Sequence, residues 1–382
     1  MSSTEPPFTV GIEEEYLLVD RATRDLDQNP PSALLRTCTE RSGGHINPEF
    51  LRSQLEVNTR VCHSIAEARA DLARLRGIIV DVAGEHGLAP IAASTHPFAR
   101  ATSQMPTERE QYFAMAREMQ AAARRLMVCG MHVHVGIDDD DLRVDLMNQL
   151  SYFVPHLAAL SCSSPFWEGE RTGLMSFRLS IFSSLPRTGL PERFSSYGEL
   201  RQHLDMLIRN GLIENASKMW WDVRPNARYP TLEARVMDCC TSIDDSMCLT
   251  ALVVCLTRML YRLRRSNQSW RRYKNVLIAE NRWRAMRYSF DEQLLDLADG
   301  QLAPFAAIAE ELIGLLREDA QALGCVAEVE YVRTILERGT SAHRQIGIYE
   351  AARAAGASER EALIAVVDFL IRETAAGLQG VA

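Results

Sequence analysis

The chain has 382 residues, of which 47% are apolar and 24% charged, enough to bury the core of one large domain or two. Its net charge of −8 is spread along the chain and argues against binding to nucleic acid. Lys218 and Lys274 are the only lysines, neither follows a glycine, and no Gly-x-Gly occurs, so a P-loop and a dinucleotide-binding fingerprint are both excluded.

The nine cysteines include no Cys-x-x-Cys pair, and we expect them to be reduced thiols in a cytoplasmic protein. The N-terminal segment Met1–Pro7 is short and polar and shows no signal peptide. The longest apolar run, Met247–Leu256, is too short to span a bilayer. It predicts a core helix, so no membrane partner is expected.

Periodicity predicts strands up to about residue 240 and mostly helices after it. In chain order, the predicted strands are 8–19, 51–60, 88–94, 127–137 and 229–238. The predicted helices are 64–86, 107–126, 140–160, 197–210, 243–264, 268–288, 303–318, 327–338 and 358–377. Four of these helices begin with a Ser/Thr-x-x-Glu capping box, at Ser64, Thr107, Ser196 and Ser358. We therefore expect an α+β fold with helices packed on one side of a mainly antiparallel sheet.

The first strand, 8–19, places two carboxylates on one face. Alternation puts Glu13 and Glu15 on the same side and the apolar residues on the other. A solvated edge is the ordinary explanation of such a pair. Here the flanking segments are apolar on both faces, which favours a partly buried pair that needs positive charge nearby.

Three later strands have the same polar-and-apolar alternation. Their polar faces carry the following residues: Gln54, Glu56 and Asn58; Gly130, His132, His134 and Gly136; and Thr231, Glu233 and Arg235. Taken alone, each has an ordinary explanation: a half-exposed strand, core histidines, or an ion pair on a sheet surface. Together, carboxylates and imidazoles favour Mg²⁺ or Mn²⁺ over zinc, and arginine binds phosphate. We therefore predict a nucleotide-dependent phosphoryl-transfer site on a sheet face, without a P-loop.

Two irregular segments, 163–195 and 214–230, are long for a compact domain. They contain tryptophans and arginines: Trp167, Arg171, Arg178, Arg187, Trp220, Trp221 and Arg224. Such segments could close over an anionic substrate and keep water from a reactive intermediate. The alternative is that the tryptophans are fixed core residues and the arginines are solvated.

Six motifs in this order resemble the glutamate–cysteine ligase type 2 family, the bacterial carboxylate–amine ligases also named γ-glutamylcysteine synthetases. They are Gly11-Ile-Glu-Glu-Glu-Tyr-Leu-Leu-Val-Asp20, Gln54-Leu-Glu-Val-Asn-Thr59, Cys129-Gly-Met-His-Val-His-Val-Gly136, Trp220-Trp-Asp-Val-Arg-Pro225, Thr231-Leu-Glu-Ala-Arg-Val236 and Glu280-Asn-Arg-Trp-Arg-Ala285. The resemblance runs from about residue 8 to about residue 375. It implies a glutamine-synthetase-like fold, in which a curved antiparallel sheet holds ATP and more than one divalent ion.

The resemblance also implies roles for individual residues. The positions that match the family's metal ligands are Glu13, Glu15, Glu56, His132 and Glu233. Arg235 matches the arginine that faces the transferred phosphate, so Arg235 and Glu233 are the expected catalytic residues. Further residues fall in matching motifs and are expected to bind substrate or nucleotide: Asn58, His134, Asp222, Arg224 and Arg284. Arg284 could equally be a solvated helix residue. Glu14 points to the opposite face and is not included.

The reaction implied by the family has two steps. The γ-carboxylate of glutamate attacks the γ-phosphate of ATP to give an acyl phosphate and ADP, and the amine of cysteine then displaces phosphate. Ligation to a different amine, or to a different acid, is an alternative within the same fold. A metal-dependent hydrolase that uses the same carboxylates is another.

At the scale of the whole chain, we expect residues 1–382 to form a single ligase domain. Its catalytic sheet would span about 8–240, and a mainly helical part about 241–382. The expected partners are small molecules: ATP, glutamate, and cysteine or another amine. The family resemblance also suggests a homodimer.

Overall fold

The computed structural model of the chain describes residues 5–378. Residues 1–4 of the segment examined for a signal peptide lie outside this range, as do the last four residues of the predicted domain. The strands are β1 (Val10–Asp20), β2 (Ile46–Pro48), β3 (Gln54–Asn58), β4 (Leu88–Ile91), β5 (Met131–Gly136), β6 (Phe166–Trp167), β7 (Glu170–Arg171), β8 (Thr188–Gly189), β9 (Trp220–Trp221), β10 (Val223–Pro225), β11 (Thr231–Ala234), β12 (Leu294–Asp296) and β13 (Gln301–Ala303).

The α-helices are α1 (Ser32–Ser42), α2 (Ile65–Glu85), α3 (Glu110–Met119), α4 (Asp140–Leu150), α5 (Val154–Ser161), α6 (Phe177–Phe182), α7 (Tyr197–Arg209), α8 (Ile243–Arg265), α9 (Asn275–Tyr288), α10 (Phe305–Leu323), α11 (Val326–Glu330), α12 (Val332–Arg338), α13 (Ser341–Ala354) and α14 (Glu359–Thr374).

The main sheet has seven strands in the order β10-β11-β5-β1-β3-β2, with β4 also paired to β1. All of its pairings are antiparallel. Alternation explains which face is buried, because Val10, Ile12 and Tyr16 of β1 are at most 2% exposed. Helices α2 and α8 pack against this apolar face. The predicted α+β architecture is confirmed.

The predicted strands all form, and most predicted helices form close to their expected bounds. Four helices differ. The helix predicted from 268 begins at Asn275, and the segment 327–338 is divided into α11 and α12. The other two differ for identifiable reasons. The segment 140–160 is divided into α4 and α5, where Pro155 occupies the first turn of α5. The helix expected from Thr107 begins only at Glu110, because Thr107 donates from its backbone N to Phe50 O and from its hydroxyl to Glu49 O, which keeps the chain extended.

The predicted capping boxes form only in part. Ser358 and Glu361 form the full reciprocal box. Ser64 and Ser196 each accept from the backbone N–H three residues on, but the corresponding glutamates accept from the residue before the cap. Helices α1, α6 and α13, strands β2 and β10, and the three two-stranded sheets outside the main sheet were not predicted.

The nine cysteines are unpaired and buried, as expected for structural thiols. Helix α8 is long and apolar enough to cross a membrane by length and composition, but 78% of its apolar window is buried inside the protein. The prediction that Met247–Leu256 belongs to a core helix is therefore confirmed.

Candidate active site

The pairing of the strands brings distant polar residues to one face of the sheet. On β1, Glu13 lies opposite Asn58 of β3 and His132 of β5, and Glu15 lies opposite Glu56. Directly opposite residues of antiparallel strands have neighbouring side chains. The polar faces that were predicted strand by strand therefore form one continuous surface.

Glu13, His134 and Glu233 form the first of two groups of possible metal ligands. One donor atom from each lies within 4.8 Å of the others. His134 Nδ1 lies 3.0 Å from Thr231 Oγ1, which orients the ring, while the buried His134 Nε2 lies 3.3 Å from Glu13 Oε1. A buried imidazole nitrogen directed at a carboxylate is suited to bind a cation together with that carboxylate.

The second group consists of Glu15, Glu49 and Glu56, again with one oxygen from each within 4.8 Å of the others. Glu49 was missed by the sequence argument. It follows the three-residue strand β2 in an irregular turn, so no alternation points it to a face. The only signal was an acidic side chain next to a predicted strand that already carried Glu56.

The two groups differ electrostatically. Burial raises the pKa of Glu49 to about 8, with a further contribution from the charge of Glu15. Burial also raises the pKa of Glu56 well above its usual value, and that of Glu15 is raised despite the opposing charge of Arg178. Burial acts in the same direction on Glu13, but hydrogen bonds from His132 and His134 outweigh it and leave the pKa of Glu13 low.

Arg235 directly follows β11, and its side chain contacts Glu233 of the first group. Its Nη1 donates to Glu233 Oε1 and lies 3.4 Å from His132 Nδ1, and its Nε is buried with no partner among the described residues. Burial opposes the charged form of Glu233, but the charges of Arg235 and Arg224 hold its pKa well below the usual range. An arginine with an open, buried N–H is suited to bind an oxyanion.

The remaining predicted residues are placed as follows. Asn58 Nδ2 donates to Glu56 Oε1 at 2.8 Å, and His132 Nδ1 lies 3.0 Å from Glu13 Oε2, beside the first group and not inside it. Arg224 Nε donates to Glu233 Oε2 at 2.9 Å, so Arg224 holds that carboxylate from the side of β10.

The carboxylate of Asp222 and the side chain of Arg284 belong to neither group of possible metal ligands, although the backbone oxygen of Asp222 accepts from Arg235 N at 2.7 Å. The carboxylate of Asp222 accepts hydrogen bonds from the Arg282 guanidinium at 2.7 and 3.0 Å. The arginine that contacts Asp222 is therefore Arg282 and not the predicted Arg284. Arg284 donates to Gln293 O and lies over the Tyr288 ring. The structure therefore does not bring Arg284 to the polar face.

A pocket of about 190 Å³ opens beside the second group. Its polar side is formed by Glu15, Glu49, Arg178 and Arg235. Its other side is largely apolar and includes Phe50, Tyr112, Met115, Leu126, Phe182, Leu185 and Trp220. Two of the apolar residues, Tyr112 and Met115, come from α3.

The irregular segments contain more fixed structure than the sequence indicated. Trp167 and Trp221 are 9% and 8% exposed and belong to the core, as the alternative explanation expected. Trp220 is half-buried, lines the pocket and lies under the Arg187 guanidinium, 5.5 Å from it. Whether these segments close over substrate stays a prediction.

On the opposite face of the sheet lies a buried ion pair. Glu14 accepts from Arg76 at 2.8 and 2.9 Å, and also from the hydroxyls of Tyr16 and Ser246. Arg76 reaches further, to Cys240 O and Thr241 O. Glu14 is therefore part of the support behind the site, in agreement with its exclusion from the predicted ligands.

Comparison with protein families identifies a match over most of the chain. The model of the family described as glutamate-cysteine ligase family 2 (GCS2) matches residues 9–368. A protein of Rhodospirillum rubrum, provisionally named glutamate–cysteine ligase 2, is 56% identical over 98% of this chain and 97% of its own length.

Two solved structures have similar folds at low identity. A glutamate–cysteine ligase from Francisella tularensis, crystallised with AMP, has a TM-score of 0.67 at 16% identity and covers 97% of this chain and 90% of its own. A bifunctional glutathione synthetase from Pasteurella multocida has a TM-score of 0.68 at 15% identity over 96% of this chain. The chain spans only 52% of that enzyme. These similarities show a glutamine-synthetase-like fold, as predicted.

Proposed function

The chain belongs to glutamate–cysteine ligase family 2 and is an ATP-dependent carboxylate–amine ligase, and on this premise we propose that it joins glutamate to cysteine. The γ-carboxylate of glutamate attacks the γ-phosphorus of ATP, and ADP leaves. The neutral cysteine amine then attacks the carbonyl carbon of the acyl phosphate, and phosphate leaves with the C–O bond electrons and takes up the proton that the nitrogen loses. No nucleophilic side chain of the protein is needed.

The donor set of the polar face fits divalent cations. We propose that more than one Mg²⁺ or Mn²⁺ is held, by Glu13, His134 and Glu233 in one group and by Glu15, Glu49 and Glu56 in the other. His132 was predicted as a ligand. It would act on the first group indirectly, by contacting the Glu13 carboxylate. Such ions, when bound, neutralise negative charge on ATP and on the transferred phosphoryl group.

Arg235 is the residue that we propose acts on the phosphoryl group directly. Its buried Nε has no partner in the described chain, so it can donate to a phosphoryl oxygen without breaking an existing hydrogen bond. Arg224 and Glu233 hold the Arg235 guanidinium in position, since all three are joined by hydrogen bonds. Fixed donors of this kind stabilise charge that develops in a transition state.

The single observation that supports this proposal best is the concentration of six carboxylate and imidazole ligands next to an open arginine on one sheet face. The experiment is ADP release with Mg²⁺ and ATP, with glutamate and amine each supplied or omitted. We expect release only when both are present. Release without any amine would identify a hydrolase, and release with another amine would identify a different acceptor.

The family membership also supports proposals about domain organisation, cellular location and oligomeric state. We propose that the sheet part, about 8–240, and the helical part, about 241–382, act as one catalytic unit, because α8 of the helical part packs against β5 directly behind the site. We also propose a cytoplasmic, homodimeric enzyme. Size-exclusion chromatography with light scattering tests the second point.

A further inference from the structure

Asp222 connects helix α9 to the backbone of Arg235. Its carboxylate accepts two hydrogen bonds from Arg282 of α9, from Nε at 2.7 Å and from Nη2 at 3.0 Å. Its backbone N donates to Gly189 O at 2.8 Å, and its backbone O accepts from Arg235 N at 2.7 Å. Asp222 is 5% exposed, and a buried carboxylate is costly unless it is paired. Arg282 is the cation that pairs with it.

The hydrogen bond between Asp222 and Arg235 continues the pairing of β10 with β11. Val223 lies opposite Ala234 in that pairing, so the next backbone contact joins Asp222 to Arg235, the first residue after β11. On its other side, the carbonyl oxygen of Arg235 accepts the longer contact from Arg178 Nη2, at 3.3 Å. The position of the Arg235 backbone therefore depends on where Asp222 is held.

Helix α9 gives Arg282 a fixed starting point. Asn281, the preceding residue, is 5% exposed and exchanges two hydrogen bonds of 2.8 Å with the backbone of Leu295 in β12. Ile278 and Ala285 of the same helix are buried, and α9 packs against α5. A side chain that starts from such a helix and ends in a two-bond contact is held within a narrow range of positions.

We propose that Arg282 is a positioning residue, which acts through Asp222 to hold Arg235 where its Nε meets the transferred phosphoryl group. This proposal rests on the proposed ligase function, in which Arg235 contacts that group. Arg282 donates to Asp222 and does not itself contact the substrates. Misplacing a catalytic group by about 1 Å can lower the rate roughly a hundredfold, so a contact at this distance from the chemistry can matter.

The first experiment separates the position of Arg235 from the stability of the fold. Arg282→Met leaves Asp222 buried without its counter-ion, and adding Asp222→Asn removes that uncompensated charge. We would measure kcat and KM for ADP release, and urea unfolding, in both variants. We expect Arg282→Met to lower kcat by roughly 10- to 100-fold, with KM for ATP and glutamate within about threefold of the wild type. The double variant should regain stability but not kcat, because the two-bond contact is still missing.

A double-mutant cycle tests whether Arg282 acts through Arg235. Arg282→Met should change the kcat of Arg235→Lys by less than about threefold, because the guanidinium that it positions is already absent. Arg287→Met is the matched control. This arginine of the same helix donates to the backbone oxygen of Gly173, and its loss should leave kcat within about twofold of the wild type.

Three results would overturn the proposal. One is recovery of kcat together with stability in the double variant, since a merely structural role gives that result. Another is an equal fall of kcat from Arg282→Met in the wild-type and Arg235→Lys backgrounds. The third is a higher KM with unchanged kcat, which would assign the effect to the pocket wall at Trp220.

Urea unfolding identifies a variant that does not fold. If Arg282→Met fails in this way, Arg282→Gln replaces it, because glutamine lacks the charge but can still donate one hydrogen bond to Asp222. Failure of the proposed function is a separate result, visible before Arg282 is changed. The wild type would then show no ADP release that depends on both acid and amine, or Arg235→Lys alone would turn over normally.

Discussion

The two carboxyl groups that share one face of β1 differ in how strongly they hold a proton. Glu13 has two histidines as hydrogen-bond partners and a low pKa, whereas Glu15 lies among other carboxylates and has a raised pKa. The neighbours set the difference, since both are glutamates one pleat apart on the same strand. The second group is therefore the one whose charge depends on a bound cation.

Without divalent ions, the protein should become less stable as the pH rises. Glu49 has a pKa of about 8 in the folded chain against an ordinary 4.5. Protonation of Glu49 thus favours the folded state, fully below about pH 4.5 and progressively less as the pH approaches 8. We expect the Tm in EDTA to fall between pH 7 and 8, above the range in which the lowered pKa values of His96, His132 and His156 make stability rise with pH. Mg²⁺ should raise the Tm more at pH 8 than at pH 7.

Glu49→Gln is the control for this pH dependence, because it removes the titrating group. Its Tm in EDTA should vary less with pH than that of the wild type. A Tm that rises with pH in the wild type over the same range would contradict the assignment of raised pKa values to this group.

Glu15→Gln should lower turnover by at least about a hundredfold, because the second group loses a charged ligand. The fold should stay cooperative, and the ion-free protein should be at least as stable as the wild type, since fewer like charges are held together. Steady-state ADP release and thermal unfolding in EDTA measure the two effects. Normal Mg²⁺-dependent turnover in this variant would refute the ligand assignment.

Arg235→Lys tests the phosphoryl contact. Lysine keeps the charge but loses the planar donors and the buried Nε–H, so we expect kcat to fall roughly a hundred- to a thousandfold, or about 3–4 kcal/mol of barrier. The KM for ATP should change less than kcat. A variant within a few-fold of the wild type would mean that Arg235 serves only as the ion-pair partner of Glu233.

At the scale of elements, β1 carries charge on both faces. Glu13 and Glu15 face the site, while Glu14 between them is held by Arg76 of α2 in the core. Alternation predicted the first arrangement, and it also predicted that Glu14 points away. It could not predict Arg76, because the partner of a buried charge lies 62 residues away and is chosen by packing.

Arg76→Met should destabilise the fold by roughly 3–5 kcal/mol, because it leaves Glu14 buried without a counter-ion. The double variant Glu14→Gln with Arg76→Met should recover part of the loss. Arg41→Met, which breaks the exposed pair with Glu85, should cost no more than about 1 kcal/mol. Urea unfolding compares the three, and equal effects of Arg76→Met and Arg41→Met would contradict the argument.

The sequence predicted the site best where strands are regular. Glu13, Glu56, His134 and Glu233 lie on faces that period-two alternation defines, and each was placed correctly on the polar side. Glu49 and Arg282 were missed, because one lies in a turn and the other reaches Asp222 from a helix across a tertiary contact. Local periodicity contains no information about such contacts.

Among the elements that line the pocket, helix α3 has the fewest side chains buried in the core. None of its described side chains is fully buried, yet Tyr112 and Met115 line the pocket. Irregular segments flank it on both sides. An element with so little buried surface is suited to move during substrate binding.

We therefore expect trypsin to cut first at the exposed arginines around α3, namely Arg109, Arg117, Arg124 and Arg125. Mg²⁺, a non-hydrolysable ATP analogue and glutamate together should protect these sites. In the segment 163–195, cutting should change less, because Phe166, Trp167 and Leu179 are buried. Protection confined to 163–195 would instead support closure of that segment.

At the scale of the whole molecule, the site depends on contacts between distant parts of the chain. The first group joins residues 13, 134 and 233, and the helix that supports β5 from behind begins at Ile243. None of these ligands has its partners in the unfolded chain. Ion binding should therefore report on the folding of the entire sheet and not on a local segment.

All nine native thiols are buried, which makes the molecule convenient for spectroscopy. A cysteine introduced on the solvent side of α3, for example by Arg117→Cys, would be the one thiol open to a maleimide dye. The emission of an environment-sensitive dye there would respond to a change in the surroundings of α3. Movement of this helix could then be followed in solution without removing any native cysteine.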